Sequence, residues 1–295
     1  MKRLSIFVLL TLLLTGCGIH PAVQKEVQVE AGEALSTEVT DYASLPDSIS
    51  SEDVSLYLDD VDINTPGDYD AHMTYNNKDY SFVVHVMDTV APSASRAMDY
   101  IISTPGILHA SDYVTDISDA TKITVGFVGE PQKRADLSVM NTEEIEADAA
   151  SDKTTVLFSE NSGESETSEL SADFTFEDEG IYDGQIAVQD AGNNRMVFDF
   201  TFYIDGTPPV ITDFEDGEME LSESDDGIYE LNIKMTITDN FDGDITNTEQ
   251  VVSNIEEYDD YVDASVTATD RAGNEVSKQA KLTFPDGFWD KVYEK

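Results

Sequence analysis

The sequence predicts an all-β chain folded as tandem β-sandwiches. Three observations lead there. Beyond residue 17 no long 3.6-residue periodicity runs through the chain; instead apolar and polar residues alternate in short runs, the pattern of strands with one buried face. The clearest runs come in pairs around turn-forming residues, which makes them hairpins. The hairpins recur at a spacing near the ~100 residues of one sandwich, and the first two are each followed by a proline-containing junction.

The N-terminus is of another kind. Met1-Lys2-Arg3 is basic, Leu4 to Leu14 is apolar, and Leu14-Thr15-Gly16-Cys17 ends the run in small residues. The run is well short of the ~20 apolar residues a membrane-spanning helix needs, so residues 1–16 read as a signal peptide. Leu14-Thr15-Gly16-Cys17 resembles the lipobox of bacterial lipoproteins. That resemblance implies diacylation of the Cys17 thiol, with residues 17–25 as the lipidated start and tether and the membrane as a partner through the lipid. Cys17 is the single cysteine, so no disulfide framework or cysteine metal site is available and each domain must stand on its apolar core.

Residues 26–92 form the first expected domain. Tyr69, Ala71, Met73 and Tyr75 alternate toward the turn Asn76-Asn77-Lys78, and Tyr80, Phe82, Val84 and Val86 return from it. The junction Met87-Asp88-Thr89-Val90-Ala91-Pro92 follows, stiffened by a residue that fixes φ. Residues 93–205 form an enlarged second domain, in which Tyr182, Gly184, Ile186 and Val188 lead into Ala191-Gly192-Asn193-Asn194 and Met196, Phe198, Phe200, Phe202 and Ile204 return. Its stretch from Asn141 to Ser171 is rich in Glu and Ser, is interrupted by Val156-Leu157-Phe158, and is consistent with either an extra hairpin or a short helix around Glu143 to Ala150. After Asp205-Gly206-Thr207-Pro208-Pro209, residues 206–285 form the third domain, with Val262, Ala264, Val266 and Ala268 before Arg271-Ala272-Gly273-Asn274 and Val276, Ala280, Leu282 and Phe284 after it. Residues 286–295 are an aromatic tail, Phe288-Trp289-Asp290-Lys291-Val292-Tyr293, expected to pack back on the last domain.

Asp190-Ala191-Gly192-Asn193 and Asp270-Arg271-Ala272-Gly273-Asn274 resemble the D-x-A-G-N turn of bacterial immunoglobulin-like repeats in surface proteins. Gly67-Asp68-Tyr69 and Gly180-Ile181-Tyr182 are similar to the family's G-x-Y motif, and Asp239-Asn240-Phe241-Asp242-Gly243-Asp244 is similar to its D-N-x-D-G-D loop. The first hairpin departs from the pattern, with Asn76-Asn77-Lys78-Asp79 at its turn. The resemblance implies immunoglobulin-like sandwiches over most of residues 26–285. Physically, Gly192 and Gly273 are expected to supply positive φ, Asp190 and Asp270 to accept turn N–H groups, and Asn193 and Asn274 to tolerate left-handed backbone. Tyr69 and Tyr182 are expected as tyrosine corners.

A net charge of −45, from 61 Asp and Glu against 16 Lys and Arg, excludes a generic nucleic-acid binder and argues against docking on anionic headgroups. Its plain reading is a solvated, mutually repelling surface; the sharper alternative is that some carboxylates are grouped to hold divalent cations. The sequence carries none of G-x-S-x-G, H-E-x-x-H, a P-loop or a dinucleotide fingerprint. His20 lies in the tether, His109 in a loop-like stretch, and His72 and His85 on the polar register of the first hairpin, so each reads as a surface histidine and the expectation is that the chain is not an enzyme. The one candidate cofactor is calcium, on Asp239, Asp242 and Asp244, because calcium takes several carboxylate and carbonyl oxygens from a bent backbone. Turn capping with positive φ at Gly243 is the competing reading, and junction residues Asp88 and Asp205 are weaker ligand candidates. The expected function is a lipid-anchored, extracytoplasmic binding or adhesion protein for a glycan, matrix protein or envelope component. A passive spacer and an enzyme sited in the enlarged middle domain are the alternatives.

Overall fold

The computed structural model describes residues 19–150, 153–158, 169–223, 229–245, 248–252 and 260–293. Cys17 therefore lies outside the described residues. The chain is all-β: tandem immunoglobulin-like sandwiches in which the strongest pairings are the three hairpins read from the alternation. Three separate apolar cores follow one another along the sequence. Among the described residues no helix is long and apolar enough to cross a membrane.

In the first hairpin, Gly67–Tyr75 pairs antiparallel with Lys78–Met87, and strand Glu26–Glu30 adds in parallel to the outer side of the returning strand. The turn is two residues, Asn76 and Asn77, both at positive φ (50° and 58°), the geometry that matches strand twist in a tight hairpin; Lys78 already belongs to the strand. Alternation does its work here: Ala71, Met73, Phe82, Val84 and Val86 are buried together, while their neighbours Asp70, His72 and Ser81 are exposed.

The middle hairpin, Gly180–Gln189 with Arg195–Ile204, is the centre of a seven-stranded sheet. Its apolar side buries Ile186, Val188, Phe198, Phe200 and Phe202 against Phe127 and Phe176. Each such aromatic or branched side chain contributes roughly 1.5–3 kcal/mol when removed from water, so the sandwich needs no disulfide. Tyr182 donates to the Asp178 carbonyl at 2.9 Å and Tyr69 to the Thr65 carbonyl at 2.8 Å, the corner role expected of both.

The stretch after Asn141 contains both structures that the sequence left open: a helix, Thr142–Ala149, and then a strand, Thr154–Leu157, at the edge of the central sheet. Asn141 caps the helix reciprocally with Glu144, each contact 2.9 Å. Asp148 on its last turn accepts from Arg134 and from the Tyr203 hydroxyl (2.7 Å), so the helix is bonded to the sheet beside it. The Arg134 guanidinium holds the Asp148 carboxyl below the usual carboxylate range.

The third hairpin pairs Tyr261–Thr269 with Glu275–Thr283 around a core of Ile211, Phe214, Ile237, Val262, Val266 and Leu282. The tail continues as a short helix, Phe288–Tyr293, with Trp289 4.9 Å from Phe284 by ring centroid, so it does pack back on the last domain.

Candidate metal centre at the domain junctions

Both junctions are built to one plan. The residue that follows one sandwich's final strand is an aspartate; the next sandwich brings a second aspartate and its D-x-A-G-N-type turn up against it. At the first junction these are Asp88, Asp119 and Asp190, and at the second Asp205, Asp239 and Asp270. In each set, carboxylate oxygens from all three residues lie within 4.8 Å of one another.

The turns place the third member. In Asp190-Ala191-Gly192-Asn193-Asn194, the Asp190 carboxylate accepts from the Asn194 backbone N–H (2.8 Å) and side-chain amide (2.9 Å); in Asp270-Arg271-Ala272-Gly273-Asn274, Asp270 accepts the same pair from Asn274, both at 2.8 Å. The same amide nitrogens also reach across the joint: Asn194 donates to the Asp88 carbonyl and Asn274 to the Asp205 carbonyl, each at 2.9 Å. One side chain thus binds its own turn and the end of the preceding domain.

This geometry corrects part of the reading of the turns. The two align by their first aspartate and last asparagine, so positive φ falls on Asn193 (66°) and Gly273 (95°), not on Gly192, and Asn274 is a bridge rather than a left-handed residue. Gly192 is required for another reason: a Cβ there would lie 2.4 Å from the Asp88 carbonyl oxygen. Asn194, which makes the bridge at the first junction, was missed because a D-x-A-G-N match stops one residue short of it.

Of the expected calcium set, only Asp239 lies in a cluster. Its Oδ1 accepts from Phe241 N–H (2.8 Å) and Asp242 N–H (2.9 Å), so the loop caps itself. Asp242 turns away to pair with Arg271, and Asp244 is exposed. Gly243 takes positive φ (69°). Asp205, a weaker candidate in the sequence, is instead central to the second cluster, and Asp88 occupies the same place in the first.

The second loop position after the domain's loop aspartate separates the two joints. At the first it is Thr121, whose hydroxyl lies 2.8 Å from Asp88 and 2.9 Å from Asp119 and accepts from Ala191 N–H. At the second it is Phe241, fully buried, stacked on Tyr203 at 5.6 Å and covered by the Arg271 guanidinium at 4.6 Å. Among the described residues no hydroxyl donates to these carboxylates. Asp205 Oδ2 and Asp239 Oδ2 are buried with no hydrogen-bond partner, on residues 0% and 7% exposed. Burial, with the charges of Asp239, Asp270 and Glu179 added to it, pushes the Asp205 carboxyl up to about 6, against the opposing hydrogen bond from Thr207. Burial likewise raises Asp88 and Asp190.

No family model matches the chain, and no curated protein matches it. Solved structures that the chain matches include PcdhgB3 EC1-4 (9% identity, covering 83% of this chain and 62% of that one, TM-score 0.24). The human Desmocollin-1 ectodomain is 9% identical over 88% of this chain and 60% of that one, with a TM-score of 0.26. The M60 catalytic domain with two CBM51 domains of Clostridium perfringens ZmpB is 13% identical over 90% of this chain and 31% of that one, at 0.21. The chain spans less than two thirds of the length of each of the three. Scores this low define no superposition of the whole chain.

Proposed function

We propose that the chain is a lipid-anchored, extracytoplasmic binding protein without catalytic function, whose sandwiches meet a glycan, matrix protein or envelope partner. The observation that carries this reading is an apolar edge strand, exposed among the described residues, on an otherwise acidic molecule. Thr154–Leu157 is the outermost strand of the middle sheet, and Val156, Leu157 and the following Phe158 are 42%, 49% and 41% exposed. Edge strands are ordinarily blunted by charge, proline or cover, so an apolar one is a place where a partner's strand or aromatic surface adds. Each of the four histidines has a local partner: His85 pairs with Asp68 and His109 with Asp173, both at 2.6 Å, His72 stacks on Tyr57, and His20 lies near Tyr80. A cleft on the third domain gathers Asp216, Asp263, Ser265, Gln279 and Lys281, without a histidine or cysteine.

The test is a screen of residues 18–295 on glycan and matrix-protein arrays, in parallel with Val156→Lys and Phe158→Glu. Saturable binding that both variants lose supports the reading. Absence of any saturable binding leaves a passive spacer, which the built junctions favour. The anchor is tested separately: Cys17→Ser should abolish palmitate incorporation and release the protein from the membrane fraction.

A further inference from the structure

We propose that the junction between the middle and third sandwiches holds one divalent cation, calcium by its ligand chemistry, on the carboxylates of Asp205, Asp239 and Asp270. Two independent observations meet there. Three aspartates from three separate segments converge within 4.8 Å. Two of their oxygens, Asp205 Oδ2 and Asp239 Oδ2, are buried without any hydrogen-bond donor.

The geometry suits calcium. Oxygens bound at ~2.3–2.6 Å around one ion are at most about 5 Å apart, which the cluster satisfies. Buried carboxylates ordinarily find donors, and each of these already uses its other oxygen: Asp205 Oδ1 accepts Thr207 N–H at 3.1 Å, and Asp239 Oδ1 accepts the Phe241 and Asp242 amides. The backbone therefore aims the remaining oxygens while leaving them free for a ligand that supplies positive charge. Among the described residues no cationic side chain does so; Arg271, the nearby one, is committed to Asp242, the Met140 carbonyl and the Phe241 ring. Calcium tolerates an irregular set completed by carbonyls and water, whereas magnesium demands near-ideal octahedral ligation at shorter distance. Asp205 ends the middle domain, and Asp239 and Asp270 belong to the third, so the ion fastens one sandwich to the next. The first junction is the internal contrast: Thr121 already stands between Asp88 and Asp119. This inference is independent of the partner-binding reading.

The experiment is calorimetric titration of residues 18–295 with calcium and with magnesium at pH 7.5, together with thermal unfolding in excess calcium and in chelator. One site is expected, with a calcium Kd of about 10⁻⁴–10⁻³ M, as in extracellular modules, and weaker magnesium binding. Asp205→Asn and Asp239→Asn should each weaken calcium binding at least ~10-fold, since each removes an anionic ligand. Asp119→Asn should leave the titration unchanged. A reversal of sign distinguishes a ligand from a merely structural residue: Asp205→Asn should unfold above wild type in chelator, where it relieves an unpaired buried charge, and below wild type in calcium. Absence of calcium binding to wild type overturns the proposal, as does binding that survives both asparagine variants or is lost equally in Asp119→Asn. Failure of the asparagine variants to fold in chelator also overturns it, because the unpaired charge would then be no burden.

Discussion

The two domain junctions each use three aspartates and one bridging asparagine, yet they are closed by different chemistry. At the first, Thr121 contributes a hydroxyl to the aspartate cluster. At the second, Phe241 takes that position and joins Ile145, Ile181 and Tyr203 in a buried apolar cluster, with Leu137 and Met140 packed beside it. The aromatic ring fills the joint but donates nothing, and two carboxylate oxygens are left bare. Exchanging a hydroxyl for an apolar plug moves the burden of neutralising the carboxylates elsewhere. The enlarged part of the middle domain gains a purpose by the same comparison: its helix and the segment before it supply Ile145, Leu137 and Met140 to the second joint alone, and Arg271 and the Phe241 backbone bond to Met140 across it.

The comparison breaks most severely at the plug. Phe241→Ala removes a fully buried ring held between Tyr203 and Arg271 and should cost about 3–5 kcal/mol, the usual loss for a buried aromatic. Denaturant unfolding followed by circular dichroism should show the third domain melting in a separate, earlier transition. A variant that unfolds in one transition at the wild-type midpoint would mean the two domains are not coupled through this ring. Next come the bridges. Asn194→Ala and Asn274→Ala each remove an amide that ties a turn to the preceding domain, and losing a buried donor costs about 1–3 kcal/mol. Asn194 is the more buried and should be the larger loss in the same assay; equal losses would show the two bridges to be interchangeable. Thr121→Val is smaller, about 1–2 kcal/mol, and more informative. It gives the first joint what the second has by nature, a cluster without that hydroxyl, so calcium titration should show a second site and the calcium-dependent rise in midpoint should exceed that of wild type. An unchanged calcium response would show that the missing hydroxyl is not what distinguishes the joints.

Much of the fold was legible because its signal is local. Period-two alternation marked all three hairpins, and the tyrosine corners followed from Gly67-Asp68-Tyr69 and Gly180-Ile181-Tyr182. The helix at Thr142–Ala149 had a readable signal too, in the capping pair Asn141 and Glu144, but the acidic run around it masked the pattern. The clusters were legible only in part: Asp88, Asp205 and Asp239 stood out as ligand candidates, but the residues that join them did not. Asp190 and Asp270 were recognised as turn residues, and they are, yet what they face comes from other segments: Asn194 meets an Asp88 carbonyl 106 residues earlier, and Asn274 meets Asp205 across 69. Neither motif nor periodicity encodes which domain end a turn will touch. The Asp239–Asp244 loop misled in the opposite direction, because proximity in sequence suggested shared ligation, while the bend that lets Asp239 cap its own amides points Asp242 at Arg271.

The smallest effect comes from a carboxylate outside the joints and shows what burial adds within them. His109 and Asp173 sit opposite each other on paired strands of the middle domain, 2.6 Å apart and more than half exposed. The hydrogen bond that Asp173 accepts from the imidazole, then the carboxylate's charge, raises the His109 pKa above the ordinary 6.5. A histidine whose pKa is raised on folding contributes stability that is fully present below the unfolded value and is lost as pH rises through the folded value. Between those two values the chain should therefore lose a little stability, attenuated by solvent around both groups. Proton NMR of the imidazole should place His109 above its free value, and Asp173→Asn should bring it back while leaving the thermal midpoint nearly unchanged. If that substitution lowered the midpoint as much as Asn194→Ala, exposed and buried carboxylates would count alike here, and the special standing of the junction aspartates would rest on charge rather than on their removal from water.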